Sequence, residues 1–91
     1  MTKAEWHVYM VRCSDNSLYT GIAVDVNRRV EEHNGDNKLG AKYTRTRRPV
    51  QLVYQEVVNS RSEAAKREYA IRTLSKIDKE LLVQQYTKIK G

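Results

Sequence analysis

From Trp6 to Cys13 the chain alternates, with Trp6, Val8 and Met10 on one side and His7, Tyr9, Val11 and Cys13 on the other. That is the period of a strand. Ser14-Asp15-Asn16-Ser17 is a cluster of turn formers, and Leu18 to Ile22 returns as a short second strand, so the pair predicts a hairpin. Strand pairing of this kind can bring Tyr9 and Tyr19 together on one face. Gly21, near the strand end, permits a bulge or a close backbone approach.

Asp25 is a good N-cap for a helix from about Val26 to Asn34, and Gly35 is a good stop. Val26 and Val30 point one way in it, while Arg29 and His33, four apart, share a face. Gly35 to Arg48 has no apolar periodicity, and Pro49 marks its end. Val50, Leu52, Tyr54 and Val57-Val58 predict a third strand with a kink or end near Glu56. Ser60-Arg61-Ser62-Glu63 has capping-box spacing and opens a helix of about 15 residues, with Ala64, Ile71 and Leu74 along one side. Ser75-Lys76-Ile77-Asp78 repeats the cap pattern and starts a last helix through about Tyr86, leaving Thr87 to Gly91 to fray. The order β-β-α-β-α-α predicts an α+β domain, a small three-stranded antiparallel sheet flanked by helices. At 91 residues the chain has room for one domain, with its core between about Trp6 and Val83.

Charge adds a partner to this picture. Lys and Arg number 17 against 11 Asp and Glu, a net charge of +6, with a pI near 9.6 and a mean hydropathy of −0.75. Such an excess attracts polyanions, nucleic acid first among them. The Gly35–Arg48 loop concentrates it, since Lys38, Lys42, Arg45, Arg47 and Arg48 against Asp36 leave +4. With Tyr43 and Thr44 among them, the composition suits phosphate contacts and base stacking, the alternative being a solvated loop. No run is long enough for a signal peptide or membrane span, so a cytoplasmic protein is expected. The lone Cys13 lies in an apolar strand and reads as a buried, inert thiol.

Tyr9, Tyr19, Arg29 and His33 then form a candidate phosphodiester-cleaving group. Each has a plainer reading. The tyrosines can be strand aromatics packed across a hairpin, Arg29 a solvated cation, and His33 a partial cation favouring a helix C-terminus. Glu68 falls between Ala64 and Ile71 on the face that should pack inward, where an acid is costly unless paired or bound to a cation. Its plainer reading is a place at the stripe's edge, paired with Arg72 at i+4.

Val8-Tyr9, Tyr19-Thr20-Gly21, the run Asp25 to His33, Gly40-Ala41-Lys42-Tyr43-Thr44, Arg47-Arg48-Pro49-Val50 and Ser62 to Glu68 are individually weak. In their order and spacing they resemble the GIY-YIG nuclease superfamily, and within it the small stand-alone bacterial UPF0213 (YhbQ-like) group. The resemblance spans about Trp6 to Val83. It implies that Tyr9 and Tyr19 are the tyrosines of the first and second motifs, Arg29 the helix arginine, and His33 a position held by His or Tyr. It also implies that Glu68 holds a single divalent cation, Mg²⁺ or Mn²⁺. His7 stands where the first motif usually has glycine, Thr20 where the second has isoleucine, and Glu80 where many active members have asparagine.

The chemistry implied is hydrolysis. A cation held by one carboxylate keeps waters with which to meet the scissile phosphate and stabilise the leaving oxyanion. Arg29 would neutralise charge on the phosphate oxygens. Water would be deprotonated by Tyr19 or Tyr9, with His33 as a proton-accepting relay and nearby cations lowering the phenol's ordinary pKa of about 10. The reading is a metal-dependent endonuclease acting on DNA, favoured over RNA, with low intrinsic sequence specificity or a partner protein that delivers the substrate. The alternatives are a nucleic-acid-binding module that cleaves slowly or not at all, and an adaptor whose charge serves solubility or an acidic protein.

Overall fold

A computed structural model describes residues 5–90. Residues 1–4 and 91, and with them the reading of the extreme N-terminus and of Gly91, lie outside the described residues. The elements are β1 (Trp6–Arg12), β2 (Leu18–Ala23), α1 (Val26–Gly35), α2 (Lys42–Arg45), β3 (Gln51–Val58), α3 (Arg61–Arg72) and α4 (Lys76–Lys90). The antiparallel sheet has the order β2-β1-β3.

Placing β1 in the middle explains its composition, because a central strand covered on both faces needs apolar residues on both. Val8 and Met10 join Tyr54, Ala64, Ile71 and Val83 in one buried cluster. Tyr9, Val11 and Cys13 join Ala23, Val26 and Val50 in another, on the opposite face. The hairpin closes through Asn16, whose φ of 70° is in the left-handed region that Asn tolerates. Asp15 steadies it by accepting from the Ser17 amide and hydroxyl.

Four local expectations are corrected. The irregularity in β3 lies not at Glu56 but opposite Met10 and Val11: Met10 pairs with Tyr54 and Val11 with Leu52, leaving Val53 unpaired. This bulge reverses the alternation, so Leu52 packs with the α1-side cluster while Val53 and Tyr54 pack together on the other. Gly35 remains helical and Asp36 ends α1, its Oδ1 accepting from the amides of Lys38 and Leu39. The basic loop contains a helical turn, α2, where none was expected. Finally, α3 stops at Arg72, after which the Thr73 hydroxyl donates back to the carbonyls of Tyr69 and Ala70. Leu74 is therefore exposed rather than in the buried stripe.

Ser60 and Ser75 cap α3 and α4 by accepting from the amides of Glu63 and Asp78. Arg12 and Glu80 form a two-point ion pair of 2.8 and 2.6 Å that ties β1 to α4. Lys76 adds a 3.2 Å contact to the same carboxylate.

Candidate active site

Tyr9 lies opposite Gly21 in the β1–β2 ladder, and Val11 lies opposite Tyr19. Residues facing each other across a ladder share a face, so both phenols point to the α1 side. Gly21 is the empty half of its pair. A Cβ there would lie 2.5 Å from the Tyr9 hydroxyl and 2.7 Å from the adjacent ring carbon. The missing side chain lets the Tyr9 ring lie flat across β2, with only 1% of the residue exposed.

Helix α1 supplies the groups behind and beside this ring. The Asp25 cap fixes its start by accepting from the Arg28 amide. Arg29 and His33 then face the sheet one turn apart. His33 is fully buried, with Nε2 2.7 Å from the Tyr9 hydroxyl. Its Nδ1 lies 3.1 Å from the Thr44 hydroxyl and accepts from the Ala41 amide at 3.3 Å. Arg29 donates to the Glu32 carboxylate at 2.9 Å and to the Leu39 carbonyl.

Tyr9, Tyr19, Thr20, Gly21, Ile22, Arg29 and Glu68 line one cleft of about 290 Å³. Four of the five expected catalytic residues thus share a wall, and the fifth, His33, stands behind Tyr9. Burial pushes the Tyr9 phenol up to about 12, opposed by the Arg29 cation. Burial pushes His33 down to about 4, assisted by the charges of Arg29 and Arg48 and opposed by Glu32. A neutral imidazole beside a neutral phenol is therefore the resting state. This corrects one reading of His33: it is not a partial cation at a helix end.

Glu68 comes from α3, which packs on β1 and β2. The pairing of Glu68 with Arg72 is present. The Glu68 side chain is 22% exposed, and Oε2 accepts from Arg72 Nε at 2.8 Å while the residue lines the cleft. Among the described residues Oε1 accepts no hydrogen bond, which leaves an oxygen for a cation. Among them there is also no group of three or more His, Cys, Asp or Glu able to hold a metal. The described residues thus offer no cluster for a metal needing three or more such ligands, while one carboxylate fits Mg²⁺ or Mn²⁺, which keeps its waters.

The loop residues divide. Lys38, Lys42 and Arg45 are exposed. Tyr43 is 39% exposed and stacks on Tyr19, with ring centroids 5.8 Å apart. Arg47 covers Tyr43 at 3.9 Å and pairs with Asp15 at 3.1 Å. Thr44 is fully buried against His33, so it cannot contact nucleic acid, a correction forced by the helical turn that carries it inward. Arg48 donates to the His33 and Asp36 carbonyls and to Asn37, which makes it a brace for the end of α1. Glu32 was missed. The available signal was its position three residues after Arg29, where a carboxylate can hold a guanidinium on the same helix face. Glu80, at the expected asparagine position, is committed to Arg12 and does not line the cleft.

Comparison with known proteins gives the family and the fold. Residues 5–80 match the family described as GIY-YIG catalytic domain. A UPF0213 protein of Desulfotalea psychrophila is 57% identical over 79 residues, covering 87% of this chain and 71% of that one. A UPF0213 protein of Staphylococcus aureus is 58% identical over 78 residues, covering 86% and 93%. The solution NMR structure of the UPF0213 protein BH0048 from Bacillus halodurans has a TM-score of 0.56 at 42% identity, covering 89% of this chain and 84% of that one. That of the protein EF2693 from E. faecalis has a TM-score of 0.61 at 35% identity, covering 94% and 90%. No helix among the described residues is long and apolar enough to cross a membrane. The chain belongs to the GIY-YIG family and to its UPF0213 group, a membership that supports a nuclease-type function on nucleic acid.

Proposed function

We propose that this protein is a divalent-metal-dependent endonuclease that hydrolyses phosphodiester bonds in DNA with little intrinsic sequence specificity. The observation that carries the proposal is the single cleft bringing a guanidinium, two phenols and a carboxylate together. Glu68 would hold Mg²⁺ or Mn²⁺ through Oε1, and the bound ion would supply charge neutralisation at the phosphate and the leaving oxygen. Arg29, oriented by Glu32 and the Leu39 carbonyl, faces the phosphate oxygens on which charge develops. Tyr19 would take a proton from water, because it is half-buried at the cleft whereas Tyr9, which lines the same cleft, is only 1% exposed. Lys42 and Arg45 extend the electrostatic track along which the backbone would lie, and a partner protein would supply targeting.

Two ion pairs favour a second reading, a nucleic-acid-binding module of weak activity. Arg72 occupies one oxygen of Glu68, and Glu80 is spent on Arg12.

A nicking assay separates the readings. Plasmid, branched and single-stranded DNA are incubated with Mg²⁺, Mn²⁺ or chelator, comparing wild type with Glu68→Gln. Metal-dependent cleavage by wild type alone supports the nuclease. Salt-sensitive binding without cleavage by either protein supports the module.

A further inference from the structure

We infer that the backbone amide of Ala41 locks His33 in the tautomer protonated at Nε2, so that His33 donates a hydrogen bond to the Tyr9 hydroxyl. The inference deepens the nuclease reading, on which its consequence for catalysis rests. The argument is an accounting of donors. A backbone N–H can only donate, and the Ala41 amide donates to His33 Nδ1. Among the described residues it has no other acceptor. A proton on Nδ1 would set two N–H groups against each other in a fully buried place.

The Thr44 hydroxyl can rotate and is compatible with either ring tautomer, so the assignment is carried by the Ala41 amide. The hydroxyl stands within reach of His33 Nδ1 at 3.1 Å and of the Ala41 carbonyl at 2.9 Å. That carbonyl already accepts from the amides of Thr44 and Arg45, each at 3.1 Å. The Thr44 hydroxyl donates to that carbonyl as well, and the one lone pair of Nδ1 is taken by the Ala41 amide. With Nδ1 accepting from the amide, the single proton of the neutral ring is on Nε2, aimed at Tyr9 over 2.7 Å.

The consequence is a direction for Tyr9. Its oxygen accepts from His33 and its own proton turns to the cleft, where Arg29 and Glu68 also face. Tyr9 then acts as a hydroxyl donor to a phosphate oxygen. His33 and the Ala41 amide are positioning groups that act through it, and neither gives up or takes a proton during turnover.

Nitrogen-15 NMR of histidine-labelled protein tests this directly. The expected spectrum shows His33 protonated at Nε2 and bare at Nδ1, both in wild type and in Thr44→Val, which removes the hydroxyl and leaves the amide. A proton on Nδ1 in wild type overturns the inference, and so does a tautomer change in Thr44→Val. Should Thr44→Val not fold, the wild-type spectrum decides alone. A second arm uses His33→Gln, whose side-chain amide can donate to Tyr9 but cannot shuttle a proton. Cleavage by this variant within tenfold of wild type is expected. A loss of roughly a hundredfold or more in a folded His33→Gln protein, the size of a removed acid–base step, overturns the donor role. Should wild type not cleave DNA at all, the nuclease reading fails while the spectra still decide the tautomer.

Discussion

The ring of Tyr9 occupies the space that a side chain at position 21 would need, so Gly21 and Tyr9 are complementary halves of one packing unit. Gly21→Ala should push the phenol off His33 and out of line with the cleft. Overpacking of this kind costs roughly 1–3 kcal/mol, and cleavage should fall with it. Urea denaturation of a double-mutant cycle checks the origin of the loss. In a Tyr9→Ala background the methyl group has room, so the second substitution should cost less than about 0.5 kcal/mol. Equal costs in both backgrounds would mean that the glycine serves something other than the ring.

That pair also shows what the sequence could and could not reveal. The alternation from Trp6 to Cys13 was legible because β1 is central and each of its faces meets its own cluster. The shared face of Tyr9 and Tyr19 followed from hairpin pairing alone. The side of Tyr54 was not legible, since a bulge at Val53 leaves no mark in a run of apolar residues yet reverses every side chain beyond it. Thr44 was misread for a related reason. Its neighbours are cationic and exposed, and only the turn of α2 shows that its hydroxyl faces inward to His33. Glu68 was legible as an anomaly on a helix face and its pairing with Arg72 from their i+4 spacing, but its place in the lining of the cleft needed three dimensions.

His33 should make the protein acid-sensitive in a defined window. Its folded pKa of about 4 lies below the ordinary 6.5, so the fold favours the neutral ring. This contribution is complete above pH 6.5 and is lost as pH falls from 6.5 through 4, amounting to about 3 kcal/mol for a fully buried ring. Chemical denaturation of wild type and His33→Gln between pH 7 and pH 4 measures it. The wild-type stability should decline through that range and the variant's should not.

Glu80 governs a lower window. Arg12 holds its carboxylate down at about 2, with Lys76 assisting, against an ordinary 4.5. The stabilisation is present above pH 4.5 and disappears as pH falls from 4.5 through 2. The side chains of Arg12 and Glu80 are 27% and 29% exposed, so solvent screening holds the contribution to about 1 kcal/mol. Glu80→Gln should lose about that much at pH 7 and flatten the curve below pH 4.5. Because Glu80 is paired with Arg12 and does not line the cleft, cation binding should be unchanged in the same variant, which calorimetry with Mn²⁺ would show.

Arg72 competes with any cation at Glu68, and the size of that competition is bounded. Its side chain is 56% exposed, and an exposed i,i+4 pair is worth about 0.3–0.5 kcal/mol. Arg72→Gln should therefore tighten Mn²⁺ binding by no more than a few-fold. Glu68→Gln should abolish binding. Electron paramagnetic resonance of Mn²⁺ in the absence of DNA reads both effects. Weaker binding in Arg72→Gln would instead make the arginine a necessary orienting group for the carboxylate.

The basic loop should behave as two populations. Lys42 and Arg45 are exposed and, among the described residues, have no acidic partner, so each is available to a phosphate. Neutralising either should reduce the slope of log affinity against log salt by roughly one. Arg48 is different, because its three donors are spent on the His33 and Asp36 carbonyls and on Asn37. Arg48→Ala takes a donor from the His33 carbonyl at the end of α1, while the Asp36 carbonyl keeps the Gly40 amide, a loss of about 1 kcal/mol in stability. Its salt slope at low temperature, where the variant is still folded, should match wild type. Fluorescence anisotropy on a labelled oligonucleotide across a salt series, beside thermal melts of the same proteins, distinguishes the two classes. A slope change in Arg48→Ala as large as in Arg45→Ala would mean that this guanidinium abandons its carbonyls for the nucleic acid.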